Sequence, residues 1–201
     1  MPRDSHTLTP GDILPLDAYE AVRAEKKRAA IQRKAQTRLH VGPRATAIFE
    51  TWESMWLQVH EMLRIEKGGE AQLADELAAY GPMVPKGSDL AATLLFEVED
   101  PVRRDAFLRS IGGVEHHIFI QLDGERIPAR PEADLERTRA SDGKASAVHF
   151  VHFDFSPAQI ARWQSGEGHA MFVIDHPNYG HAALIGAATR AFLAQECFAD
   201  V

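Results

Sequence analysis

Cysteine is almost absent: Cys197 is the only one in 201 residues. An internal disulfide is therefore excluded, and so is any CxxC pair for zinc, iron–sulfur or thiol–disulfide chemistry. Long apolar runs are missing too, so no segment reads as a bilayer-spanning helix. The opening MPRDSHTLTPGDIL holds no apolar core of a secretory signal, and the expected location is the cytoplasm. Positive charge is in deficit, with 22 Lys and Arg against 29 Asp and Glu and a formal net charge of -7. Such a chain repels phosphate backbones and anionic lipid, which argues against nucleic-acid and membrane partners. No Gly/Ser-rich or Pro-rich linker divides the sequence. One domain over 1–201 is expected, with a mainly helical part at 9–85 and a sheet-bearing part at 88–201. GxGxxG, Walker, HExxH, GxSxG and EF-hand patterns are all lacking, so no common nucleotide, hydrolase or calcium site is inscribed in the chain.

What is present is a dense set of start and stop signals. Residues 1–8 read as a tail, and Thr9-Pro10 as a cap opening a short helical turn. Residues 17–38 form a helix rich in Ala, Glu, Lys and Arg whose apolar anchors are only Tyr19, Val22 and Ile31. It is either a solvated helix or an arm for an acidic partner. After the break at Gly42-Pro43, residues 45–50 suit a strand. Trp52, Met55, Trp56, Val59, Met62 and Leu63 then share one face of a helix that Gly68-Gly69 ends. A second helix runs from Glu70 to Tyr80 with Leu73, Ala74 and Leu77 inward.

From residue 90 strands alternate with helices. Strands are expected at 90–99, 116–122, 125–130, 146–155, 170–175 and 181–185, with Asp123-Gly124 as a hairpin turn and a polar surface loop over 131–145. Helices are expected at 101–111, 157–165 and 187–197. Pro101 and Pro157, Phe107 and Trp163, Gly112 and Gly168, and Ile118 and Ile174 hold equivalent places in two strand–helix–strand units. Two such βαβ-like units predict an α+β fold with a ferredoxin-like arrangement. In it the N-terminal helices pack on an antiparallel or mixed sheet and a C-terminal helix closes the chain.

Three groups of residues carry candidate chemistry. Glu66 and Glu70 flank the twin-glycine corner and fall with apolar residues on their helical wheels, where a carboxylate needs a cation, a metal or a proton. The plain alternative is that both sit at helix ends facing water. Asp175-His176-Pro177-Asn178-Tyr179-Gly180-His181 places imidazoles, a carboxylate and a phenol about one turn, which suits metal ligation or acid–base work. It equally suits a turn that bonds to its own backbone. In VHFVHF, His149 and His152 point to opposite faces of a strand, so each needs partners from elsewhere. His6, His40, His60 and His169 read as superficial. The combined reading is a His/carboxylate site for a transition metal (Fe, Mn or Zn). Its ligands are His176, His181, Glu66, Glu70, His149 and His152, and Asp175 and Tyr179 serve as catalytic groups.

The strings LTPGDILPLDAYE, EMLRIEKGGEAQLADELAAYGPMVP, GERIPARPE, SAVHFVHFDFSPAQ and DHPNYGHAAL, in this order from Leu8 to Leu193, resemble a bacterial family of unknown function. Genes of that family often lie beside those for rubrerythrin and an iron–sulfur oxidoreductase. The resemblance implies a role in redox or oxidative-stress metabolism, with rubrerythrin-type or iron–sulfur oxidoreductase partners, either as an enzyme or as a non-catalytic accessory of a redox complex. It implies no particular fold, substrate or catalytic residue.

Overall fold

The structure, a computed structural model, describes residues 6–132, 138–139 and 141–198. Parts of the expected tail (1–5) and of the expected polar loop (133–137 and 140) lie outside these residues. In chain order the elements are α1 (Leu16–Thr37), β1 (Arg38–Val41), β2 (Ala45–Phe49), α2 (Trp52–Glu66), α3 (Gly69–Tyr80), β3 (Asp89–Phe96), α4 (Pro101–Ser110), β4 (Ile118–Leu122), β5 (Glu125–Pro131), β6 (Val148–Asp154), α5 (Pro157–Ser165), β7 (Ala170–His176), β8 (Tyr179–Leu184) and α6 (Ala187–Cys197).

The local signals act as read. Ser156 accepts a bond from the Gln159 amide while the Gln159 side chain returns to the Ser156 amide, a complete capping box with Pro157 in the first turn. Asp100 caps α4 in the same way through the Arg103 amide. Asp123 and Gly124 both take positive φ, at 51° and 88°, as a two-residue hairpin turn that matches strand twist requires.

The assembly of these elements differs from the ferredoxin-like expectation. The strands form one eight-stranded sheet in the order β1-β2-β3-β6-β5-β4-β7-β8. Every ladder between these strands is antiparallel. The two strand–helix–strand units exist locally, but β3 pairs with β6 and β4 with β7, so α4 and α5 join strands that are not neighbours. In a split βαβ the two strands joined by a helix run parallel with one strand between them; here two strands separate β3 from β4 and two separate β6 from β7, so each joined pair runs in opposite directions. The edge strands β1 and β8 approach one another, and the sheet curls into a nearly closed barrel.

The fold's main core fills that barrel. Alternate residues of each strand point inward: Ala45, Ala47 and Phe49 from β2, Leu90, Ala92, Leu94 and Phe96 from β3, Val151 and Phe153 from β6, and Phe172 and Ile174 from β7. Phe49 and Phe153 meet Phe172 edge-on, with ring centroids 6.1 and 5.6 Å away. At one end Phe107 of α4 packs on Phe96 and Tyr179; at the other Trp163 of α5 packs on Phe155 and Phe198. Outside the barrel, α1 and α2 cover β2, β3 and β6 through a second cluster of Tyr19, Trp52, Met55, Trp56, Met83, Val84 and Ala91. His60 belongs to this layer and is buried, not superficial. Its ring lies 3.9 Å from that of Trp56, Nδ1 bonds to the Trp56 carbonyl, and Nε2 accepts from the Leu14 amide. No helix among the described residues is long and apolar enough to cross a membrane.

Candidate functional site

The scarcity of apolar anchors on α1 has a structural consequence. The helix is buried at Tyr19 and Thr37, while Lys27, Ile31 and Lys34 between them stay exposed. Under this stretch, between α1, α2 and the outer face of β2, lies a cleft of about 300 Å³. Ile48, Met55 and Leu57 give it apolar walls; Lys27, Arg33 and Lys34 border it from α1. Glu50, Ser54 and Thr93 form its polar floor.

Glu50 follows β2 directly and is 7% exposed. Its Oε1 accepts from the Thr93 hydroxyl at 2.7 Å and its Oε2 lies 2.6 Å from Ser54 Oγ. Burial pushes the Glu50 carboxyl above the ordinary carboxylate range, against the smaller opposing pull of the Ser54 and Thr93 hydrogen bonds and of Lys34. Ser54 Oγ also lies 2.9 Å from the Thr51 carbonyl and accepts from the Thr51 amide. A serine has one proton for two acceptors. With Glu50 protonated, its O–H donates to Ser54, Ser54 donates to Thr51 O, and every group is satisfied. Nearby, Glu61 is gripped by both guanidinium arms of Arg23 at 2.7 and 2.8 Å and by the Tyr19 hydroxyl at 2.6 Å. Arg23 foremost holds its carboxyl down at about 2.

The residues singled out from sequence are dispersed. Glu66 and Glu70 are exposed at the α2–α3 corner. Lys67 turns left-handed there and carries both helix ends out to water, so the apolar side of the helical wheel does not extend to them. Sequence reasoning passed over Gln72, which knits this corner: its Oε1 accepts from Gly68 N, and its Nε2 lies within 3.2 Å of Met62 O, Glu66 Oε2 and Glu76 Oε1. His149 and His152 do face opposite sides of β6. His149 points into the barrel, its Nε2 2.9 Å from the Ser146 carbonyl and its ring edge-on to Phe96. His152 faces outward, buried between Asp89 (3.0 Å) and Glu132 (2.7 Å). Each ring nitrogen meets one carboxylate, so both are engaged within this His–Asp–Glu group.

In the β7–β8 hairpin, His176, Tyr179 and His181 share the inner face. His176 Nδ1 accepts from Asn178 N and its ring meets that of His117 at 5.1 Å, while the His181 ring lies 4.4 Å from that of Tyr179. The Tyr179 hydroxyl donates to Val41 O at 2.7 Å and accepts from Arg44 N at 3.0 Å. This phenol is occupied in tying β8 to the β1–β2 turn. Asp175 is exposed and sits 3.5 Å from Arg126. Among the described residues no group of three or more His, Cys, Asp or Glu converges in a way that would hold a metal ion. The structure brings together His176, Tyr179 and His181 and keeps Glu66, Glu70 and His152 elsewhere.

The cleft residues were not legible as a site. Glu50 reads as the last residue of a strand, and Lys34 as one cation in a basic run. Only the register that sets Ile48 opposite Thr93 next to Glu50, with α1 above, assembles them.

Comparison with known proteins adds a family and a fold. No curated protein matches the chain. A crystal structure of a protein of unknown function from Burkholderia pseudomallei K96243 is similar over 94% of this chain and 98% of that one, with 37% identity and a TM-score of 0.86. Residues 7–197 match the family described as "Protein of unknown function (DUF3501)", and the chain belongs to that family.

Proposed function

We propose that this protein binds a small molecule in the cleft between α1 and α2. One observation carries the reading: a cavity of about 300 Å³ with apolar walls surrounds a buried carboxyl whose hydrogen bonds are all met within the floor. A volume of that size is at the small end of ordinary ligand pockets, and apolar walls with a few polar groups are their usual make-up. The β7–β8 hairpin supports a site less well, because the Tyr179 hydroxyl is already bonded to backbone groups of Val41 and Arg44.

Amide hydrogen exchange in the presence of the uncharged apolar fluorophore N-phenyl-1-naphthylamine tests this. Protection is expected over residues 30–37 and 48–58, with the β7–β8 hairpin unchanged. Protection centred on the hairpin, or none, rejects the cleft.

A further inference from the structure

We propose that the ligand of this cleft is a small organic anion with an apolar body, its acidic group held by Arg33 and Lys34 of α1. The proposal rests on the cleft reading above and adds the chemical class.

Charge distribution decides the class. Three cations border the cavity, and two carboxyls line it. Glu61 is neutralised by the bidentate Arg23 contact, with Lys27 a further 3.9 Å away. Glu50 is held by Ser54 and Thr93 beneath the walls. Arg33 and Lys34 form no ion pair among the described residues. A negative group entering past α1 therefore meets two cations that are in no ion pair among the described residues, one of them a guanidinium able to bind a carboxylate or phosphate through two parallel bonds. A positive group meets repulsion from both. Below them, Ile48, Met55 and Leu57 remove apolar surface from water without offering a polar group that lacks a partner. The same rim explains how a chain of net charge -7 can collect an anion: a local field of one sign outweighs a dispersed opposite charge beyond the screening distance.

The test follows displacement of N-phenyl-1-naphthylamine, an uncharged fluorophore, by three probes of one chain length: octanoate, octylammonium and octanol. Octanoate is expected to displace the fluorophore at least tenfold more effectively than octylammonium, with octanol between. In R33E/K34E this order reverses, with an unchanged circular dichroism spectrum checking that the fold is intact; Lys34 is exposed and Arg33 half-buried on α1. Equal competition by octanoate and octylammonium, unchanged in R33E/K34E, overturns the anion assignment while the cleft stands. A second variant, Ala30→Trp, fills the cavity from the half-exposed face of α1 and should abolish binding of all three. Undiminished fluorophore binding in Ala30→Trp removes the cleft reading itself.

Discussion

At the scale of single residues, two carboxyls a few side chains apart respond to the fold in opposite directions. Glu50 is buried and its carboxyl is raised; Glu61 is exposed enough to meet Arg23 and is lowered to about 2. Linkage turns these into opposite pH dependences. The Glu50 contribution is fully present below the unfolded value of 4.5 and is lost as pH rises through its folded value. The Glu61 contribution is present above 4.5 and is lost as pH falls toward about 2. Glu50→Gln keeps the shape and most of the hydrogen bonding without the ionisable proton. It is expected to be more stable than the parent at pH 8, with the difference closing near pH 4.5 in urea titrations at the two pH values. A constant difference across that range would mean that Glu50 is ionised in the folded protein. Neither carboxyl was distinguishable in the sequence from the other acids, because burial and a facing guanidinium are properties of neighbours far along the chain.

At the scale of elements, the sequence was informative. Caps, prolines and glycines act over three or four residues, and they placed α4, α5 and the β4–β5 hairpin where the structure has them. Ser156→Ala deletes one half of the α5 capping box and should cost about 1 kcal/mol, read as a shift in urea midpoint with unchanged slope. An unaltered midpoint would show that Pro157 and the packing of Trp163 alone define that end. The C-terminal end of α5 has a second device that no local signal announced. The buried guanidinium of Arg190, on α6, bonds to the carbonyls of Arg162, Trp163, Glu167 and Gly168 and so satisfies orphaned acceptors at a helix terminus. β1 was missed because Arg38–Val41 follows the basic helix without a break; only pairing with β2 makes these residues a strand.

At the scale of the whole molecule, closure of the sheet is the feature on which the rest depends. Gly42 has a φ of +72°, and a Cβ there would fall 2.5 Å from the His181 ring, so the β1–β2 turn can approach β8 only with glycine. Tyr179 completes the seam through Val41 and Arg44. Tyr179→Phe leaves the buried Val41 carbonyl and the part-buried Arg44 amide short of a partner and should destabilise by about 1–3 kcal/mol. Amide exchange of β1 and β8 should quicken more than that of the central pair β3 and β6. Uniform acceleration would show that the seam is no weaker than the rest of the sheet.

The sequence by itself determined nearly all of the secondary structure, the opposed faces of His149 and His152, and the family. Those depend on spacing within an element or on order along the chain. Which strands pair, whether the sheet closes, and which side chains meet in the α1–α2 cleft were decided by tertiary structure. Identical cap and turn signals serve a parallel crossover and an antiparallel barrel equally well. The choice between them comes from burying the inward residues of all eight strands in one core, an energy that no local stretch of chain contains.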